Sequence, residues 1–282
     1  MSLFSKIKVF CKGIIDLPGL VEQNNKISDE LRELRSKLDE LSLRADFEWG
    51  PGNTEEFNSD DFYYAFEERY RGTPTLIKSR LSVYLPYIER IRHIRTERGF
   101  LDIGCGRGDW LEILKEQDIT AHGIDINRRT IRETQTKGLD TQRAGLPDYL
   151  HSLPSNSLSG ISAFHVIEHL PFPILMIMLK EAFRVLVPGG ILILETPNPE
   201  NFLVGACNFY MDPTHRNPIL PEALSFMLSH SGFKERECLN VSLPDYPWKD
   251  EDIPEIPLLK ILNRHMTKGQ DYAFISFKSV EE

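Results

Sequence analysis

Long apolar runs, a secretory leader, a basic surplus and paired cysteines are all missing from this chain. Nowhere do about 18 uncharged apolar residues follow one another, so no segment reads as a membrane-spanning helix. The opening MSLFSKIKVFCKGIIDLPGL has no apolar stretch ending in a small-residue cleavage site, which points to a protein kept in the cytoplasm. Its four cysteines, Cys11, Cys105, Cys207 and Cys238, are then expected as reduced thiols, and their spacing fits neither a zinc site nor a disulfide framework. A net charge of −9 argues against broad contact with a phosphate backbone, so nucleic acid is not an expected partner. What is present is 41% apolar and 27% charged residues, a balance that supports a buried core and excludes a disordered or fibrous chain. With 282 residues there is room for one large α/β domain and appendages.

Three segments follow one another. Residues 1–48 form an expected helical arm. Within 20–44, Leu20, Ile27, Leu31, Leu34, Leu38 and Leu41 recur at alternating steps of four and three, with Asn24 in the vacant seam position. This heptad stripe predicts a short coiled coil and, through it, a homo-oligomer; the competing reading is a helix packed on its own domain. Ahead of it Lys6, Lys8 and Lys12 alternate with large apolar residues, a pattern that could rest on an anionic membrane surface. WGPGN at 49–53 marks a boundary. Residues 54–95 are rich in aromatics and arginines and include TLIKSRLSVYLPYIERI, an amphipathic stretch that Pro86 bends or divides; a helical lid or vestibule is expected here. From 96 to 282 strands and helices alternate, which is the pattern of a parallel sheet covered on both faces. The last two strands, KERECLNVSL and DYAFISFKS, are predicted to close it in antiparallel fashion.

LDIGCGRGDW places glycines at 104, 106 and 108. Gly104 and Gly106 let the chain turn sharply at the first strand's carboxyl end and come close to a ligand there. A pyrophosphate-binding turn has its third glycine one residue later, where this chain has Asp109, and a carboxylate at that helix start repels phosphate. Asp102 adds a second acid below the turn. Asp125, in GIDIN, follows at about the 20-residue offset of an acid that bonds ribose hydroxyls. Ribose without pyrophosphate describes S-adenosylmethionine.

LDIGCGRGDW, GIDIN and FRVLVPGGILILETPNPEN together resemble motifs of class I S-adenosylmethionine-dependent methyltransferases over roughly residues 99–280. The resemblance implies a Rossmann-like, seven-stranded, mostly parallel sheet. It also implies that Asp102 and the Gly104–Cys105–Gly106 loop hold the methionine end, that Asp125 holds the ribose, and that Ile126 flanks the adenine. Where the family often has an acid bonding the adenine amine, RAGLPDYL offers Gly145 and Leu146 instead.

If the acceptor is an alcohol, methyl transfer also needs a positioned base. AFHVIEHLPF supplies His165, Glu168 and His169 where the fourth strand opens over the methyl group, and His165 also adjoins the cofactor there. The expectation is a base, His169 or His215, oriented by Glu168 or Asp212. A divalent cation on the acid and histidines is the alternative, since related quinone-pathway O-methyltransferases carry a similar cluster; a simple turn closure is a third. No dedicated metal site is assigned. The long stretch after the fifth strand contains FYMDPTHRNP, with Asp212, His215 and Arg216 beside Phe209 and Tyr210, and is expected as a binding loop. FYYAFEERYRG, YLPYI, HVIEHL, TPNPEN and FYMDPTH together resemble bacterial methyltransferases of surface-polysaccharide synthesis, which implies O-methylation of a glycan hydroxyl in O-antigen or capsule. A cytoplasmic enzyme docking at the inner membrane on a glycosyltransferase complex fits that resemblance. Rival expectations are a small phenolic or quinone-precursor acceptor, a cofactor-binding scaffold acting through the coil, and a nicotinamide dehydrogenase, which Asp109 disfavours.

Overall fold

The computed structural model describes Lys26 and residues 59–94, 96–244 and 253–280. The expected coiled coil, membrane-surface segment and oligomer contact fall on residues that, apart from Lys26, lie outside the described ones. The chain divides into two compact units, Met1–Phe57 and Asn58–Glu282, and everything below concerns the second.

Its centre is a seven-stranded sheet of β1 (Phe100–Ile103), β2 (Ala121–Asp125), β3 (Thr141–Arg143), β4 (Leu158–Phe164), β5 (Leu186–Pro197), β6 (Glu235–Val241) and β7 (Asp271–Phe277). The spatial order is β3-β2-β1-β4-β5-β7-β6. The first five pair in parallel, whereas β7 inserts antiparallel between β5 and β6. The expected antiparallel closing pair is therefore present. The strand order reverses between β1 and β4, so a crevice opens there at the carboxyl ends, which is where such sheets bind ligands.

Both faces of the sheet are covered, which explains why β4 is buried along its whole length. Alternation along β5 sends Leu192 and Leu194 to one face and Ile191 and Ile193 to the other. On the first face lies α7 (Phe172–Val185), whose Leu175, Met178, Leu179, Ala182 and Val185 recur at helical spacing and are fully or nearly fully buried. Burying each large side chain contributes about 2 kcal/mol, so Leu179→Ala is expected to cost about 2–5 kcal/mol. The helix passes directly into β5, because Leu186 is already extended (ψ 140°).

The opposite face is covered by α2 (Pro74–Leu81), α3 (Leu85–Ile91) and α4 (Asp109–Glu116), through Leu81, Tyr84, Ile88, Trp110 and Leu114. Pro86 divides the amphipathic stretch: a 3-10 turn at Ser82–Tyr84 joins the two helices, and the proline sits in the first turn of α3, where its missing N–H costs nothing. This part of the expected vestibule is thus a layer of the core. Among the described residues α1 (Ser59–Tyr70) lines the crevice with Tyr63, Phe66, Glu67 and Tyr70, beside Ile77, Arg80 and Leu81 of α2. The remaining helices are α5 (Arg128–Thr136), α6 (Asp148–Ser152), α8 (Phe202–Ala206), α9 (Pro221–His230) and α10 (Pro257–Met266).

Candidate active site

At the end of β1, Gly104 turns the chain with φ +67°, and a Cβ there would lie 2.5 Å from Val166 Cγ2. Gly108 caps α4 in the left-handed region (φ +81°), with Leu139 Cδ1 2.5 Å from where its Cβ would sit. The third glycine is thus spent on packing the helix start against its neighbours, not on opening a phosphate site. Cys105 turns its side chain into a small cluster with Leu111, Ile131 and Leu139, so its sulfur is core and only its backbone can serve a ligand. Asp125 is pinned through both oxygens, Oδ2 accepting from Gly106 N (2.9 Å) and Oδ1 from Asn127 N (2.8 Å). Asn127 also caps α5 by accepting from Arg129 N and Thr130 N. This bracing fixes the Asp125 carboxylate, the acid expected to meet ribose, and leaves it lone pairs.

Ile126 is 69% exposed beside Gly145, where a Cβ would lie 3.5 Å from Ile126 Cγ2. That bare strip suits a flat base. Leu146 is half-buried against the core and can offer at most an edge. Asp102 is buried and accepts from Ser162 Oγ at 2.6 Å. Burial pushes its carboxyl up to about 7, opposed by the Ser162 bond and the Arg71 guanidinium. Asp109, also raised by burial, pairs with Arg107 Nε at 3.6 Å. The residues fit the phosphate-free nucleoside: a built ribose acid, an apolar slot and a buried acid at the amino end.

Beyond this lies a cavity of about 340 Å³ whose walls include Tyr63, Phe66, Phe164, His165, His169, Phe209, Asp212 and His215. His165 adopts φ +56°, which is uncommon for a residue with a Cβ and typical of functional sites. Its ring is bracketed by Glu168 (Nδ1 to Oε1, 3.4 Å), Glu195 (Nε2 to Oε1, 3.2 Å) and Asp271 (3.9 Å). Burial opposes its charge, but those carboxylates prevail and hold it well above the usual imidazole range. Tyr84 donates to Glu195 from below. Carboxylates thus face both ring nitrogens of His165, Glu168 at Nδ1 and Glu195 at Nε2.

A 3-10 turn at Ile167–His169 sends Glu168 inward and His169 toward the cavity. The orienting group of His169 is not Glu168. Thr214 Oγ1 donates to Asp212 Oδ1 (2.6 Å), so it must accept from His169 Nδ1 (2.9 Å). The network thus assigns the tautomer, leaving the Nε2 lone pair toward the cavity, 3.5 Å from Tyr63 Oη. Burial holds His169 below the usual imidazole range, against the pull of Glu168. His215 donates Nδ1–H to Phe209 O (2.6 Å) and turns Nε2 toward Glu168 Oε1 and Asp212 Oδ2, each at 3.8 Å. Arg216 N and Asn217 N bond Glu168 O, which docks the long loop onto the turn.

The predicted acids and histidines therefore do meet, in two groups that Glu168 joins: His165 with Glu168, Glu195 and Asp271, and His169 with Thr214, Asp212, His215 and Glu168. Sequence reasoning missed Tyr63, Glu67, Arg71, Thr214, Glu195 and Asp271. A stripe at i, i+4 and i+8 along α1 and into the turn after it would have flagged Tyr63, Glu67 and Arg71. The long connection is also more ordered than its turn residues indicate, because Asn201 accepts from Leu203 N and Val204 N and starts α8.

A family model described as a methyltransferase domain matches residues 74–237. A S-adenosylmethionine-dependent methyltransferase from Archaeoglobus fulgidus superposes with a TM-score of 0.68 at 33% identity, covering 77% of this chain and 100% of that one. A probable S-adenosylmethionine-dependent methyltransferase of Mycolicibacterium smegmatis is 28% identical over 155 residues, which is 54% of this chain and 58% of that protein. A ubiquinone biosynthesis O-methyltransferase of Histophilus somni is 28% identical over 123 residues, 40% of this chain and 51% of that one. The chain thus spans about half the length of these curated relatives. The sheet agrees with the matched fold, and the chain belongs to the class I S-adenosylmethionine-dependent methyltransferases.

Proposed function

We propose that the chain methylates a hydroxyl oxygen on a planar, phenol-like acceptor bound in the 340 Å³ cavity. The observation that carries this reading is the His169 Nε2 lone pair, aimed into an aromatic-walled cavity and backed by Thr214 and Asp212. S-adenosylmethionine, when bound, supplies an electrophilic methyl group on a sulfonium. The chain's own part is alignment, exclusion of water and removal of one proton. The acceptor proton passes to His169 Nε2; its Nδ1–H stays on Thr214, and the imidazolium so formed is balanced by Asp212 beyond that hydroxyl and by Glu168. A phenolic proton, with a pKa of about 10, lies within reach of such a base.

The glycan hydroxyl implied by the sequence motifs is supported less. Thr214 N and Oγ1 both bond Asp212 Oδ1 and Thr196 Oγ1 bonds Glu168 Oε2, which leaves Asp212 Oδ2, 3.8 Å from His215 Nε2, as the carboxylate oxygen open to a sugar hydroxyl. The quinone-pathway relative favours the aromatic acceptor. One observation favours a second mode of activation: buried Glu168 Oε1 has an ion-pair neighbour in His165 Nδ1 at 3.4 Å but no aligned hydrogen bond among the described residues, and ligand atoms of Glu168, His169 and His215 lie within 4.8 Å of one another. A divalent cation there would acidify the acceptor directly.

The experiment is incubation with labelled S-adenosylmethionine and a panel of phenols, quinone precursors and lipid-linked glycans, with and without chelator. Labelled phenolic product that survives chelation supports the base reading. Product only from glycans overturns the acceptor class, and loss of product restored by added cation replaces the base with the metal. Cofactor binding without product from any acceptor favours the scaffold role.

A further inference from the structure

At one end of the cavity three carboxylates surround a single imidazole. Glu168 Oε1 stands 3.4 Å from His165 Nδ1, while Glu195 Oε1 and Asp271 Oδ1 stand 3.2 and 3.9 Å from Nε2. The ring follows the end of β4, Glu195 lies in β5 and Asp271 opens β7, so the sheet itself brings the three together. Glu168 and Glu195 are buried; His165, Glu195 and Asp271 each keep a face on the cavity. A proton on the ring offers these acids one positive charge, and buried carboxylates persist where they are paired or coordinate a metal.

Glu168 points independently to a ligand. Its Oε2 accepts from Thr196 Oγ1 (2.9 Å), whereas its Oε1, fully buried and turned to His165 Nδ1, has no aligned hydrogen bond among the described residues. A ring that gives its Nδ1–H to this oxygen carries a lone pair on Nε2, the nitrogen that Glu195 and Asp271 face. Two carboxylate oxygens opposite a lone pair repel it unless a cation stands between them. A carboxylate behind the far nitrogen is also the usual outer support of a metal-bound imidazole. Glu195 is supported in the same manner, because Tyr84 donates to its other oxygen, Oε2. Ligand atoms of His165, Glu195 and Asp271 lie within 4.8 Å of one another. Bonds of about 2.1 Å to one ion set such atoms roughly 3–4 Å apart, so side-chain rotations of under about 1 Å close the site.

We propose that His165 Nε2, Glu195 Oε1 and Asp271 Oδ1 bind a divalent metal ion, with Glu168 steadying the ring from behind and the ion's remaining positions open to the acceptor cavity. One imidazole and two carboxylates suit Mn²⁺ or Zn²⁺ and disfavour ions that seek thiolates. The site differs from the cluster of Glu168, His169 and His215, where Glu168 would itself be a ligand. It leaves His169 as the base and gives the acid end of the cavity a fixed group that can hold a water or an acceptor oxygen. It goes beyond the phenol reading and does not depend on it.

The test is calorimetric titration of the full chain, stripped of metal and free of cofactor, with Mn²⁺. The wild type should bind one ion saturably. Asp271→Asn and Glu195→Gln keep the side-chain shapes but remove ligand charge, and each should weaken binding at least about tenfold, with the fold checked by circular dichroism. His215→Ala should leave the affinity unchanged. Pulsed electron paramagnetic resonance of the wild-type complex needs no variant: one imidazole nitrogen coupled to Mn²⁺ is expected, and two would assign the ion to His169 and His215 and overturn the proposal. Absence of saturable binding, or an affinity that Asp271→Asn leaves unaltered, overturns it as well. No readout uses an acceptor, so phenolic product from a chain that binds no Mn²⁺ would sink this site alone.

Discussion

Replacing Asp102 with asparagine separates what this buried acid does for the ligand from what it does to the fold. Burial raises the carboxyl from 3.8 to about 7, roughly three units, and each unit is worth about 1.4 kcal/mol. The folded protein keeps the proton up to about pH 7, whereas the unfolded chain releases it near 3.8, so stability falls as pH rises between those values and is lowest above 7. An ionised Asp102 at pH 8 therefore costs the cofactor-free protein up to about 4 kcal/mol. Asparagine keeps an oxygen to accept from Ser162 Oγ and never ionises. Thermal unfolding without cofactor should show Asp102→Asn more stable than wild type at pH 8, by roughly 5–10 °C, with the gain shrinking by more than half at pH 5. Calorimetry should show cofactor affinity lowered by at least about tenfold, because the amino end loses its counter-charge. A variant less stable than wild type at pH 8, or a gain independent of pH, would refute the reasoning.

Other outcomes follow from the same geometry. His169→Ala should lower kcat by about 10²- to 10⁴-fold with cofactor affinity unchanged by calorimetry. Because burial lowers His169 and the base must be unprotonated, the acid limb of the wild-type kcat profile should lie below pH 6.5 and vanish in that variant. Thr214→Val removes the hydroxyl between His169 and Asp212, and should reduce kcat about tenfold while leaving cofactor affinity intact. Gly104→Ala should abolish cofactor binding, since its Cβ would meet Val166 Cγ2 at 2.5 Å from a backbone at φ +67°; calorimetry reads the loss and circular dichroism the retained fold.

The strand-end placement of Asp102, Gly104 and Asp125 was legible because glycines and acids at strand ends have few other uses. The sheet was legible for a related reason, since apolar runs such as ILIL at 191–194 must be covered on both faces. The acceptor half was not. The parallel β4–β5 pairing, with Phe164 opposite Glu195, brings Glu195 to His165, and the antiparallel β5–β7 pairing, with Pro197 opposite Asp271, brings Asp271. The left-handed φ of His165, which sets its ring against Glu195, is not written in the sequence of AFHVIEHLPF. Thr214 gave no sign of itself, because a threonine after a proline reads as a turn residue until Asp212 and His169 are seen on either side of its hydroxyl.

Calorimetric titration of the full chain with S-adenosylhomocysteine, wild type beside Asp125→Ala, tests the assignment most directly. Saturable one-to-one binding by the wild type, weakened at least about tenfold in the variant because the ribose loses its charged acceptor, is the expected result. Absence of heat with that ligand, together with saturable binding of a pyrophosphate-bearing dinucleotide, would contradict it.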